Sequence, residues 1–241
     1  MTVPSAGGDA AARAPDGAPR PARPALLAHR GDHRRAPENS LAALVAATQL
    51  DGVDGVEFDV RLSRDGVPVV IHDETLLRVQ GDPRRVAELR AVDLERLGVP
   101  PLAEALLALP RRVFLDVELK EDVGRAGIEA LASGRGPSLE RAVISSFDPS
   151  ALRQVRSLAP AWPCWLNTVE LDEAVLQSAA QLGCVGIAAH WRAIRPATAR
   201  VARDAGLELA AWTVTRRPTL ERLARLGVLA VCVEGAALLA A

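Results

Sequence analysis

Lysine is nearly absent from this 241-residue chain: of its 29 basic residues only Lys120 is a lysine, and the rest are arginine. A lysine kept against so strong a drift toward arginine is conspicuous, because a compact ammonium suits phosphate binding; a chance surface lysine is the plainer alternative. Cysteine is scarce as well. Cys164, Cys184 and Cys232 are odd in number, lie in apolar stretches and show no C-x-x-C spacing, which excludes a disulfide framework and predicts buried thiols in a reducing compartment. No apolar run approaches the roughly 18 residues of a membrane span, and the N-terminus lacks the apolar core of a signal peptide. A cytoplasmic protein with no transmembrane segment is expected. Charge of neither sign dominates, with a net charge of −1 and a pI of about 6.4. That balance argues against a broad basic face for nucleic acid or anionic lipid, so an anionic ligand must be met locally.

Apolar material is plentiful, at 49% hydrophobic against 24% charged residues, so the chain can build a core. Residues 1–24 are the exception. They hold Ala, Pro, Gly and Arg with almost no large apolar side chain, and read as a disordered tail ahead of a single domain over 25–241. From Leu26 onward, short apolar runs alternate with amphipathic stretches, the signature of repeated βα units. Strands are predicted at 25–29, 54–60, 112–119, 141–146, 164–168, 184–189, 207–214 and 228–233, and helices at 39–50, 101–109, 122–133, 148–158, 171–182, 195–205 and 217–226. Asn39 or Ser40 caps the first helix. Eight such strands predict a (β/α)8 barrel; a doubly wound open sheet is the alternative, although no G-x-G-x-x-G follows the first strand. One further run, Val67 to Ile71, follows the second strand after too few residues for a crossover helix. It is predicted to be an antiparallel hairpin strand, folding back about position 65 so that His72 and Asp73 return beside Glu57 and Asp59.

Polar residues gather where the strands end, the active face of such a barrel: His29-Arg30-Gly31, Glu57-x-Asp59, His72-Asp73 and Glu118-x-Lys120. Residues two apart on a strand share a face, so Glu57 pairs with Asp59 and Glu118 with Lys120. Three carboxylates would converge, and crowded acids repel unless a cation neutralises them; hard oxygen donors suit Mg²⁺ or Ca²⁺. Each pair has an ordinary alternative, a solvated strand face for Glu-x-Asp and an ion pair for Glu-x-Lys. Two of only four histidines and the only lysine nevertheless fall at the strand ends that carry the acids.

The blocks His29-Arg30-Gly31, Pro37-Glu38-Asn39-Ser40, Glu57-Phe58-Asp59-Val60, Asp65-Gly66-Val67-Pro68-Val69-Val70-Ile71-His72-Asp73 and Glu118-Leu119-Lys120 resemble glycerophosphodiester phosphodiesterases in order and spacing. Weaker similarity at Pro101-Leu102-x-Glu104, Ser146-Phe147 and Trp212-Thr213-Val214 extends the resemblance over about residues 25–235. It implies metal-dependent hydrolysis of a small-molecule glycerophosphodiester to glycerol 3-phosphate and an alcohol. Glu57, Asp59 and Glu118 would bind the metal, His29 and His72 would act as acid and base, and Arg30 and Lys120 would hold phosphate oxygens. Asn39 fixes its loop, while Trp212 either packs against the leaving alcohol or fills core. Close alternatives are a lysophospholipid-cleaving relative and a barrel that binds phosphate esters without cleaving them.

Four features depart from the family pattern. Ser40 stands for threonine, Thr215 for asparagine, and the last strand ends Cys232-Val233-Glu234-Gly235 in place of Thr-Asp followed by Pro, which bears on barrel closure. The segment from Asp73 to Phe114 is short, leaving little room for a capping insertion. No serine, threonine or cysteine is among the proposed site residues, so the nucleophile is expected to be water or a substrate hydroxyl, the resemblance suggesting the glycerol 2-hydroxyl.

Overall fold

The computed structural model describes residues 23–240. Residues 1–22, most of the expected tail, lie outside the described residues, whereas Arg23 is anchored by hydrogen bonds of 2.7 and 3.2 Å to the Asp54 carboxylate. Nine strands form among the described residues: β1 (Ala25–His29), β2 (Gly55–Leu62), β3 (Pro68–Val70), β4 (Phe114–Leu119), β5 (Ala142–Ser146), β6 (Cys164–Thr168), β7 (Gly186–His190), β8 (Glu208–Val214) and β9 (Ala230–Val233). All but β3 pair in parallel, and β1 bonds to both β2 and β9, so these eight close into a ring. The unusual ending of the last strand leaves closure intact, since the β1 and β9 register runs from Ala25↔Ala230 to Ala28↔Val233.

The strands read as almost continuous apolar runs because a barrel strand is covered on both faces. The outer faces pack against α1 (Leu41–Ala47), α4 (Leu102–Ala108), α5 (Gly124–Arg135), α6 (Pro149–Leu158), α7 (Glu173–Gln181), α8 (Pro196–Asp204) and α9 (Arg217–Arg225), whose inward stripes join the main core. Ser40, Asp148 and Asp172 accept hydrogen bonds from the first turns of α1, α6 and α7, and Pro149 and Pro196 open α6 and α8. Inside the ring, Leu27, Val143, Trp165, Ala188, Ala210, Ala230 and Cys232 form a separate cluster. The barrel is therefore plugged, and a ligand can enter only where inward positions turn polar, at the C-terminal strand ends.

The hairpin follows the predicted register, with Val60↔Val70 and Leu62↔Pro68 paired and the Ile71 amide donating to the Asp59 carbonyl at 2.9 Å. Two short helices, α2 (Leu77–Gln80) and α3 (Ala91–Arg96), were not predicted. They fall in the segment after Asp73, where Leu76, Val86, Leu89 and, from α3, Leu94 pack with Val69 and Ile71 in a small cluster over β3. Only a few apolar residues mark each helix, too few to show a period. No helix among the described residues is long and apolar enough to cross a membrane.

Candidate active site

Parallel pairing sets Glu57 opposite Asp116 and Asp59 opposite Glu118, and period-two alternation turns these side chains to one side. One ligand oxygen from each of Glu57, Asp59 and Glu118 lies within 4.8 Å of the others. Asp59 is completely buried. It accepts a 2.8 Å hydrogen bond from Asn39 Nδ2 and has Lys120 Nζ and Arg30 Nε each at 3.1 Å. Burial pushes the Asp59 carboxyl up, but Lys120, Arg30 and His72 outweigh it and hold it below the ordinary range. Among the described residues, Glu57 has no lysine or arginine in ion-pair contact. Burial, then the charges of Asp59 and Glu118, push its carboxyl well above the ordinary value, and Glu118 is raised by burial and Asp59 despite its bond from Lys120.

Three acids in a desolvated pocket therefore face too little positive charge from their own surroundings. The Glu57 Oε1 atom is buried without a hydrogen bond, and Asp59 Oδ1 has only its misaligned ion pair with Lys120. Orphaned carboxylate oxygens converging this closely fit a hard divalent cation, which takes such atoms as ligands. A buried ion pair alone would leave them uncompensated.

The local backbone is shaped around the acids. Arg30 adopts φ 56°, and its amide donates both to the Glu57 carbonyl at 2.9 Å and to Glu57 Oε2 at 3.1 Å. Left-handed backbone in a non-glycine residue costs energy and persists where its surroundings hold it in place. The next residue has to be glycine: a Cβ on Gly31, at φ 83°, would lie 2.5 Å from the Ala43 carbonyl carbon of α1. Asn39, also left-handed at φ 60°, clasps Asp59 from both sides, with the Asp59 amide donating to its Oδ1 at 3.3 Å. The expected loop-fixing residue thus fixes an acid, and Ser40 is the cap.

His29, ending β1, has Nε2 3.8 Å from Glu57 and Nδ1 3.2 Å from Glu234 Oε2. His72, just beyond β3, has Nδ1 2.6 Å from Asp73 Oδ1. Each ring thus faces a carboxylate through Nδ1, and neither Nε2 makes a hydrogen bond among the described residues. Burial lowers the His72 pKa despite the nearby Asp59 charge and the bond to Asp73. Arg78, on the unpredicted helix α2, ties Asp73 to Glu38 with bonds of 2.7 to 3.1 Å, and Glu38 in turn accepts from Arg30 at 2.8 Å. Glu234 also lies 3.4 Å from His33 Nε2, and its carboxyl is held below the ordinary value chiefly by His29.

A cavity of about 210 Å³ joins these groups. His29, Arg30, Glu57, His72, Glu118 and Lys120 form its charged wall, and Phe147, Asn167, Ala188, Trp212 and Thr213 line the other. All the sequence-predicted residues except Asp59 line the cavity itself, and Asp59 lies directly behind Arg30 and Lys120. Trp212 donates from Nε1 to the Ala188 carbonyl at 2.8 Å and packs edge-on against Phe147 at 5.3 Å. A register shift between Ala211 and Val214 lets consecutive residues Trp212 and Thr213 reach the same cavity, as strand bulges do beside sites.

Asp116, Asn167, Phe147 and Cys232 were absent from the expected site. Asp116 was visible, since it precedes Glu118 by two on the same strand face. Asn167 sits near the end of its strand, where the rule that found the histidines applied equally. Cys232 supplies a thiol to the cavity, but burial and the Asp116 charge push its pKa well above the ordinary value. A thiol so strongly held in its protonated form is no nucleophile.

Residues 29–236 match the sequence profile of the "Glycerophosphoryl diester phosphodiesterase family". A glycerophosphodiester phosphodiesterase of Caldanaerobacter subterraneus subsp. tengcongensis is 31% identical over 227 residues, 84% of this chain and 90% of that protein. Among solved structures, an Oleispira antarctica phosphodiesterase in complex with the product sn-glycerol-3-phosphate superposes with a TM-score of 0.76 at 26% identity, covering 88% of this chain and 93% of the other. A glycerophosphodiester phosphodiesterase from Agrobacterium tumefaciens gives a TM-score of 0.74 at 29% identity, covering 90% and 99%. With the profile spanning nearly every described residue and similar solved structures sharing the barrel, the chain belongs to the glycerophosphoryl diester phosphodiesterase family.

Proposed function

We propose that this chain is a divalent-cation-dependent phosphodiesterase that hydrolyses glycerophosphodiesters to glycerol 3-phosphate and an alcohol, using His29 and His72 as acid and base. The observation that carries this reading is the convergence of Glu57, Asp59 and Glu118 within 4.8 Å, beside two histidines that each face a carboxylate. The product held by the Oleispira antarctica phosphodiesterase supports the same product here. Glu57, Asp59 and Glu118 hold the cation, Mg²⁺ or Ca²⁺, which when bound supplies positive charge to the phosphoryl group. Arg30 and Lys120 lie at the same wall and neutralise phosphoryl oxygens. Trp212 borders the space for the leaving alcohol. Three buried free cysteines support a reducing compartment, and the cytoplasm is the proposed location.

Among the described residues, the Cys232 thiol at the cavity is held protonated and the Thr213 hydroxyl has no histidine or carboxylate bonded to it to take its proton, so the nucleophile is sought in the substrate. The glycerol 2-hydroxyl lies next to the esterified carbon, and a tethered reactant gains an effective molarity of up to about 10⁵ to 10⁸ M. One histidine takes the hydroxyl proton as the oxygen attacks phosphorus, and the other protonates the departing alcohol. A cyclic 1,2-phosphate forms, and water opens it with the histidine roles exchanged. A substrate whose 2-hydroxyl is replaced by hydrogen should therefore turn over about a hundredfold more slowly or worse. Hydrolysis of that analogue at the natural rate would mean direct attack by water.

The overall reading is tested by phosphorus NMR on purified protein given glycerophosphocholine, glycerophosphoethanolamine, glycerophosphoinositol and lysophosphatidylcholine. Glycerol 3-phosphate should appear from the first three. Faster cleavage of the lysolipid would move the assignment to a lysophospholipid phosphodiesterase, and cleavage of none would leave a barrel that only binds phosphate esters.

A further inference from the structure

The uncharged wall of the cavity carries one buried side-chain polar atom with no partner among the described residues. Asn167 faces the barrel interior two residues beyond the plugging Trp165 on β6, is 6% exposed, and its Oδ1 makes no hydrogen bond. A buried acceptor left unpaired is costly, so its partner is to be sought in whatever fills the cavity it lines. The amide orientation is set from behind. Ser145 Oγ donates to Asp116 Oδ1 at 2.6 Å, which leaves the hydroxyl oxygen as acceptor, and Asn167 Nδ2 donates to it at 3.4 Å. With its NH₂ turned to Ser145, the amide keeps its oxygen for the ligand. The Cys232 thiol also donates to Asp116, at 3.8 Å, so the donors of Cys232, Ser145 and Asn167 all run toward Asp116 and the Asn167 end of the row is left with a free acceptor.

An acceptor without charge selects a donor without charge. Phosphate has no hydrogen to offer at neutral pH and is met by Arg30 and Lys120, and an ammonium head group finds carboxylates elsewhere in the site. A hydroxyl fits. On the proposed reaction the 2-hydroxyl is consumed as nucleophile, so the glycerol hydroxyl left for recognition is the primary one, at the carbon farthest from phosphorus.

We propose that Asn167 Oδ1 accepts a hydrogen bond from the primary hydroxyl of the substrate's glycerol half, making Asn167 the residue that selects fully deacylated glycerophosphodiesters. This rests on the reaction proposed above and adds its substrate class. Esterification of that hydroxyl, as in a 1-acyl lysophospholipid, removes the only hydrogen it can donate and brings an acyl chain into a cavity of about 210 Å³. The substrate then loses a bond and leaves Asn167 unpaired, and a site built to bond a hydroxyl rejects such analogues strongly.

The test compares kcat/KM for glycerophosphocholine with that for its analogue bearing hydrogen in place of the primary hydroxyl, the 2-hydroxyl being retained. Wild-type protein should prefer the natural diester by about tenfold to a hundredfold. In Asn167→Ala and Asn167→Leu the preference should fall to within about threefold, through loss of activity on the natural diester alone. The ratio is taken on one preparation, so it does not depend on the fraction of each variant that folds. Full preference retained in either variant, or no preference in the wild type, overturns the assignment, as does wild-type cleavage of 1-acyl lysophosphatidylcholine at the rate of glycerophosphocholine. If the wild type releases glycerol 3-phosphate from no diester, the proposed reaction itself fails and this selectivity with it.

Discussion

Exhaustive treatment with EDTA is expected to abolish hydrolysis of glycerophosphocholine, and added Mg²⁺ or Ca²⁺ to restore it. The reason lies in the imbalance around Glu57, where Arg30 and Lys120 lean toward Asp59 and Glu118 and leave a buried oxygen without a partner. Without the cation, a negatively charged phosphodiester must approach raised but incompletely neutralised carboxyl groups. Loading the site must also displace protons, because burial and mutual repulsion raise the carboxyls of Glu57 and Glu118. The apparent metal affinity should therefore increase with pH and protons should be released on binding, both readable by calorimetry in buffers of different ionisation enthalpy. Glu57→Gln and Glu118→Ala should each weaken binding. Full turnover in protein shown by elemental analysis to be metal-free would remove the cation from the reaction, and unchanged metal dependence in Glu118→Ala would remove that residue from its ligands.

His29→Ala and His72→Ala should each lose about 10²- to 10⁴-fold in kcat while keeping the wild-type melting temperature, the range ordinary for a lost acid or base. Both side chains are only partly buried and end elements whose backbone bonds do not depend on the ring. His72 in particular is held by its own carbonyl, which accepts from Arg61 Nε at 2.8 Å. His190, which packs on the far side of Trp212 with ring centroids 5.2 Å apart, is the control. It lines a different hollow, so His190→Ala should leave the kcat of the chemical step little changed. A loss in that control as deep as in His72→Ala would place the acid or base on the wrong strand end. Equal residual activity in the single variants and in the double variant is also expected, since the two rings act on the same displacement and their losses do not add.

Much of the barrel was legible because its signals are local. Eight apolar runs and the stretches between them fixed the alternation, and the hairpin register followed from the position of Asp65-Gly66 alone, so that Ile71 pairs opposite Asp59 as expected. Period two along β2 and β4 was enough to bring Glu57, Asp59 and Glu118 to one face. The short helices α2 and α3 escaped because four to six residues cannot display a helical period. Their omission hid Arg78, whose bridge from Asp73 to Glu38 steadies His72.

By itself, the sequence determined the number and order of strands, the hairpin and the presence of acids and histidines at strand ends, since each depends on spacing within a few residues. Only the tertiary structure decided which of those groups meet. Glu234 reaches His29 across 205 positions because β9 closes the ring beside β1, and Asp116 gathers Ser145 and Cys232 because strands far apart in the chain share one barrel interior. Charge balance was likewise invisible beforehand: whether Glu-x-Asp is a solvated face or a desolvated ligand pair depends on what surrounds it. Closure of the barrel buries Asp59 completely and leaves Glu57 without an arginine or lysine in ion-pair contact among the described residues, and desolvation from all sides turns a common Glu-x-Asp pattern into a candidate metal centre.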